Sequence, residues 1–259
     1  MIRATSRRQA LLVGTAVSAL LAQPVLADDK WQPYAEIYGR AGSQRVIGGG
    51  EVFYPLYQDD DNLLFLDLRG RADSDDTAEG NLGLAYRSKI EDSWVLGGYG
   101  YVDVKRSELD NTYWNLTVGL EALSEDWDLR VNGYLPLSDS KAVADGAQLV
   151  LTDTFIGLQA GEETPMHGLD AEVGWRVPLL PADGDQEVRV FAGGYWFAGE
   201  DIDTVTGPRA RLEYRIYDPF GNGSRLTFDT ALQWDEVRGT DLSAGVTPRR
   251  AEDDHDHGH

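Results

Sequence analysis

The sequence predicts an all-β fold: a transmembrane, antiparallel, up-and-down β-barrel of twelve strands. Three observations predict it. Short segments alternate between apolar and polar residues, as where Trp114, Leu116, Val118 and Leu120 interleave with Asn115, Thr117, Gly119 and Glu121. A period of two places successive side chains on opposite sheet faces, so each segment is a strand with one oily and one wet face. The wet face carries full charges of both signs, and tryptophan gathers at strand ends. Alternation alone fits a dry core facing water as well as a wet lumen facing lipid. Mixed charges suit a lumen held by ion pairs, and aromatic girdles mark membrane interfaces, so the lipid-facing wall is preferred.

From the N-terminus, residues 1–27 read as a cleaved signal peptide. Arg3, Arg7 and Arg8 give the positive region, Ala10 to Leu21 the apolar run, and Val25-Leu26-Ala27 the small-residue cleavage site. The apolar run is shorter than the roughly 20 residues of a spanning helix. The barrel is expected over 28–240 and a flexible acidic, His-rich tail over 241–259. Strands are expected at 31–39, 46–57, 62–72, 80–90, 93–105, 112–123, 126–137, 147–159, 168–179, 187–198, 207–217 and 224–236, with 241–247 a thirteenth candidate. Turn chemistry separates them, for example Asp59-Asp60-Asp61-Asn62, Asp73-Ser74-Asp75-Asp76 and Pro181-Ala182-Asp183-Gly184. Short turns are expected at one end and longer loops at the other. The alternation holds strand by strand: Leu64, Leu66 and Leu68 oppose Asp67 and Arg69, and Leu169, Ala171, Val173 and Trp175 oppose Asp170, Glu172 and Arg176.

Composition narrows the function. Cysteine is absent, so an exported chain must rely on sheet closure rather than disulfides. A net charge of −21 argues against nucleic acid and against docking on anionic lipid. Seven Trp and twelve Tyr with only 42% hydrophobic residues suit a membrane barrel with a polar lumen.

An ordered series of short, glycine-rich pieces resembles the inverse autotransporter β-domain, the barrel of intimin and invasin. The series begins at Asn81-Leu-Gly-Leu-Ala-Tyr-Arg87 and Trp94-Val-Leu-Gly-Gly-Tyr-Gly-Tyr-Val-Asp103. It continues through Gly119-Leu-Glu121, Asn132-Gly-Tyr134 and Gly168-Leu-Asp170-Ala-Glu172-Val-Gly174-Trp-Arg-Val-Pro178, then Val190 to Phe197 and Gly207 to Tyr214. The resemblance implies a twelve-stranded outer-membrane barrel anchoring an exported C-terminal passenger. No stretch here matches a peptidoglycan-binding module or an adhesin, so the expectation is a passenger-less barrel without adhesion or invasion.

Lumen-lining candidates are Asp67, Arg69, Arg87, Asp103, Glu121, Asp170, Glu172, Arg176, Arg209, Arg211, Glu213, Arg215 and Asp229. Asp170 with Glu172 resembles a paired-carboxylate site, but in a barrel wall such groups pair with arginines of neighbouring strands. Arg209, Arg211 and Arg215 repeat at strand spacing and would line a pore. Trp31, Trp94, Trp114, Trp127, Trp196 and Trp234 are the membrane-interface candidates. Gly97-Gly98 and Gly193-Gly194 fit bends or thinned wall rather than phosphate loops. His167 is read in a turn, and no nucleophile–base set stands out, so no enzyme and no cofactor are expected. His255, His257 and His259 could weakly ligate a divalent metal. Expected partners are outer-membrane lipid, the outer-membrane assembly machinery and periplasmic chaperones, with no nucleic acid. The expected function is an anchor, structural protein or narrow pore in the outer membrane. The alternatives are a porin-like solute channel and a soluble exported β-barrel binding module.

Overall fold

The computed structural model describes residues 31–91, 93–143, 156–159, 161–220 and 223–251. They form β1 (Tyr34–Gly42), β2 (Val46–Gln58), β3 (Asn62–Asp73), β4 (Ala78–Ile90), β5 (Trp94–Arg106), β6 (Thr112–Ser124), β7 (Trp127–Pro136), β8 (Lys141–Ala142), β9 (Ile156–Gln159), β10 (Glu162–Pro165), β11 (His167–Val177), β12 (Gln186–Ala198), β13 (Val205–Tyr217), β14 (Arg225–Asp235) and β15 (Gly239–Ala251). Twelve of these close into an antiparallel barrel, β1-β15-β14-β13-β12-β11-β7-β6-β5-β4-β3-β2, while β8, β10 and β9 make a small separate sheet. Wall strands of 9 to 13 residues are long enough to cross the roughly 30 Å apolar layer when tilted.

Twelve wall strands are as expected, but two members differ. Segment 147–159 was expected in the wall; its described part, β9, pairs with β10 in the small sheet instead. The wall is completed by β15, which runs through residues expected as tail and pairs with both β14 and β1. The barrel therefore ends at Ala251 rather than at residue 240. Without β15, β14 and β1 would present open edges, and unsatisfied backbone groups are costly in lipid. The seam has one weak point: pairs are formed at Glu36↔Arg249 and Gly39↔Val246, with none between them opposite Pro248, which has no N–H to give. His167 opens β11 rather than sitting in a turn. Residues 1–27, expected as a signal peptide, and His255, His257 and His259 lie outside the described residues.

The rim carrying Tyr34 and Ala251, the terminal rim, holds connections 59–61, 91–93, 125–126, 178–185 and 218–224. The opposite, distal rim holds 43–45, 74–77, 107–111, 137–166, 199–204 and 236–238. Loop lengths are thus mixed at both ends, and 137–166 stands apart. Acidic residues shape many turns. Asp76, Glu91, Asp110, Asp201 and Asp218 adopt positive φ, a region that Asp tolerates better than most residues. Asp59 accepts from the backbone N–H of Asp61 at 3.0 Å and of Asn62 at 2.8 Å, fixing the β2–β3 turn.

The barrel is inside-out relative to a soluble protein. Leu66, Leu68, Leu82, Leu84, Val118, Leu120, Leu212 and Phe228 are exposed, whereas Asp67, Asp103, Glu121, Glu213 and Asp229 are buried. Soluble chains rarely expose so continuous an apolar wall. Inside, two ring clusters fill space: Phe53, Leu63 and Phe65 with Tyr34 and Tyr99 towards the terminal rim, and Met166, Tyr195, Phe197 and Val205 at the distal rim. Rings lie over glycines of the paired strand. A side chain at Gly83 would run into the Tyr101 ring, and one at Gly174 into the Phe191 ring.

Candidate functional site

The inward face is a lattice of ion pairs. On β3, Arg69 bridges Asp67 at 2.5 Å and Glu51 of β2 at 3.0 Å, and Asp67 also accepts from the Tyr101 hydroxyl at 2.8 Å. Arg87 of β4 meets Glu121 of β6 at 2.6 Å across β5, and Arg130 of β7 reaches the same carboxylate at 3.4 Å. Gly97 makes this possible, because a side chain there would collide with Glu121 and crowd Arg87. Gly193 likewise sits against the Ala171 carbonyl, where a side chain would not fit.

Asp103 is held by neutral donors: Asn81 at 2.7 Å, Thr117 at 2.5 Å and Asn115 at 3.3 Å. The Asp170–Glu172 pair divides. Asp170 accepts from Asn132 at 2.8 Å and Tyr134 at 2.7 Å, whereas Glu172 takes Arg211 at 2.5 Å. Arg211 also touches Glu213, which holds Arg215 at 2.5 Å. Arg215 then reaches Glu187 at 2.9 Å, which also accepts from Arg189 at 2.9 Å and Tyr217 at 2.7 Å. Asp229 pairs with Arg40 at 2.7 Å. Arg209 projects over the Tyr195 ring, 5.4 Å from its centroid.

Arg176 differs from the other candidates. It shares their parity but lies at the terminal rim, bound to Glu125 at 2.7 Å and Asp126 at 2.9 Å, because β11 ends one residue later. Several inward groups escaped sequence reasoning: Glu36, Arg40, Glu51, Glu79, Lys105, Glu187 and Arg189. Their signal was parity. Glu187 and Arg189, for example, fall on the same face as Phe191, Tyr195 and Phe197, whose apolar character hid the pattern.

The tryptophans divide between the ends of the wall. Trp31, Trp94, Trp127 and the unexpected Trp175 lie towards the terminal rim, and Trp114, Trp196 and Trp234 towards the distal rim. Trp127 and Trp175 face each other across β7 and β11 with centroids 6.4 Å apart.

A family model described as the inverse autotransporter β-domain matches residues 39–206. The chain belongs to this family. An attaching and effacing protein homolog of Escherichia coli (strain K12) is 25% identical over 135 residues, covering 52% of this chain and 40% of that relative's length. A chain solved in work on the in-meso crystallization of membrane proteins is 18% identical at a TM-score of 0.62, covering 85% of this chain and 84% of that one. The NanC porin is 10% identical at a TM-score of 0.51, covering 84% and 99%. At such identities the solved structures speak for the fold alone. This inverse autotransporter barrel is an outer-membrane protein whose apolar wall faces lipid. Its matched region ends at the start of β13, so most of β13 and all of β14 and β15 lie beyond it.

Proposed function

We propose that the barrel acts as an outer-membrane anchor with a narrow lumen, of the translocator type, rather than as an open solute channel. The observation that carries this reading is the lattice itself. Many inward cations are engaged by carboxylates of the same or nearby strands, as in the Glu172–Arg211–Glu213–Arg215–Glu187–Arg189 chain. An arginine bound on both sides offers little charge to a passing anion. The same pairing argues against acid–base work at Asp170 and Glu172, whose oxygens are already engaged by donors. In this reading residues 1–27 are removed on export, the outer-membrane assembly machinery and periplasmic chaperones insert the barrel, and both ring belts of Trp sit at headgroup depth. The His-bearing tail adds at most weak metal binding.

Single-channel recording of the refolded chain in planar bilayers tests the proposal. The anchor reading expects small or intermittent conductance. A large, steady conductance would replace it with the solute-channel reading.

A further inference from the structure

The described residues of the 137–166 connection bury a carboxylate and two apolar side chains at the distal mouth. Ile156, Glu163 and Met166 are 6%, 5% and 1% exposed. The Glu163 carboxylate accepts from the Ser107 hydroxyl at 2.9 Å, the Asn111 amide at 2.6 Å and the Tyr113 hydroxyl at 3.2 Å, all from the β5–β6 corner. Ile156 and Pro165 help line a cavity floored by Glu79, Asp103 and Lys105. Asp103 lies three residues inside the end of β5, so this cavity extends below the rim. Across the mouth, Met166 packs with Phe197 and Val205 of β12 and β13. The segment therefore spans from β5 to β13, about half the circuit of the wall.

We infer that Ile156 and Glu162–Met166 form a resident plug seated in the distal mouth, latched by Glu163 on Ser107, Asn111 and Tyr113 and anchored by Met166 among the rings. A solvent-facing loop would have no reason to bury a carboxylate in a cradle of neutral donors, since burial without partners is costly and exposure needs none. The cradle belongs to the wall and the carboxylate to the plug, so the latch is the removable part. This inference rests on the connection's own contacts and does not depend on the anchor reading.

The absence of cysteine makes the test clean. In the full chain, refolded in lipid, single cysteines Ile156→Cys and Leu179→Cys are labelled with a water-soluble maleimide; Leu179 is 73% exposed and serves as the open reference. The plug predicts that Ile156→Cys labels at least about ten-fold more slowly than Leu179→Cys, and that adding Glu163→Ala removes most of that protection. Tyr113→Phe, which keeps the ring and removes one donor, gives an intermediate acceleration and covers the case in which Glu163→Ala does not fold. Equal labelling of both cysteines in the parent chain would overturn the plug. Protection that survives Glu163→Ala, or Tyr113→Phe where the former does not fold, would overturn the latch. Conductance is recorded separately, so a closed lumen with a released plug is told apart from failure of the anchor reading.

Discussion

Two contacts at the rims of the barrel differ in kind, an ion-pair cluster at the terminal rim and a neutral cradle at the distal rim. At the terminal rim, charge meets charge: Glu187 holds Arg189 and Arg215, and Arg176 ties the 178–185 edge to Glu125 and Asp126. At the distal rim, beside the buried Asp235–Arg238 pair, the Glu163 carboxylate meets neutral donors and Met166 meets rings. The contrast separates permanence from reversibility. Breaking a buried ion pair leaves an uncompensated charge, which costs about 3–5 kcal/mol. Breaking a bond between a carboxylate and hydroxyl or amide donors leaves groups that water can satisfy, at about 1–3 kcal/mol. The ion-pair cluster belongs to the wall, whereas the Glu163 latch can be released without unfolding it.

This contrast is open to attack at four points, from the largest effect to the smallest. Glu187→Ala should cost about 3 kcal/mol in urea titration of the refolded chain, because the buried Arg189 keeps only Asp128 at 3.4 Å and Arg215 only Glu213. Glu163→Ala should cost about 1–3 kcal/mol by the same titration and leave the wall intact; a loss equal to that of Glu187→Ala would erase the distinction between rims. Gly174→Ala and Gly168→Ala both push a side chain into a ring, Phe191 and Phe197 respectively, and each should cost about 1–3 kcal/mol by overpacking. Of the two, Gly168→Ala alone should speed labelling of Ile156→Cys, since Phe197 packs with Met166.

The smallest effect concerns pH, and it has opposite signs at the two rims. The Tyr57 hydroxyl and the N–H groups of Asp61 and Asn62 hold Asp59 at about 2, so its contribution is complete above the ordinary value of 3.8 and is lost as pH falls towards 2. Desolvation and the charges of Asp75, Asp73 and Asp76 raise Glu108 above 4.5, so its ionised form weakens the distal rim at neutral pH and acidification relieves this. Asp59→Asn should therefore lower stability at about pH 7, and Glu108→Gln should raise it slightly there, with the Glu108→Gln gain vanishing below about pH 4. Thermal melts of the two variants at both pH values check the signs.

Much of the fold was legible because period-two alternation dictates faces directly, and charge on one face settles which side is wet. What was not legible had physical causes. β15 presents Leu242, Ala244, Val246 and Pro248 outwards, a weakly apolar face that read only as a thirteenth candidate over 241–247 and not as the closing strand. Segment 147–159 groups Leu149-Val150-Leu151 and Thr152-Asp153-Thr154 in runs rather than alternating, β-forming residues that could join either sheet, and its described end pairs with β10. The plug was invisible because Glu163 is an ordinary acidic residue until Ser107, Asn111 and Tyr113 are brought around it by β5 and β6. Arg176 was placed by parity alone, and parity does not give depth.

The central claim is that this wall is turned outwards to lipid, with tryptophans in two belts and charge within. Trp fluorescence quenching in bilayers of lipids brominated at successive acyl depths tests it most directly. The account predicts strongest quenching by bromines near the headgroups and weaker quenching by those at the bilayer centre. Fluorescence untouched by bromine at any depth would place the rings in a dry interior and contradict the inside-out barrel.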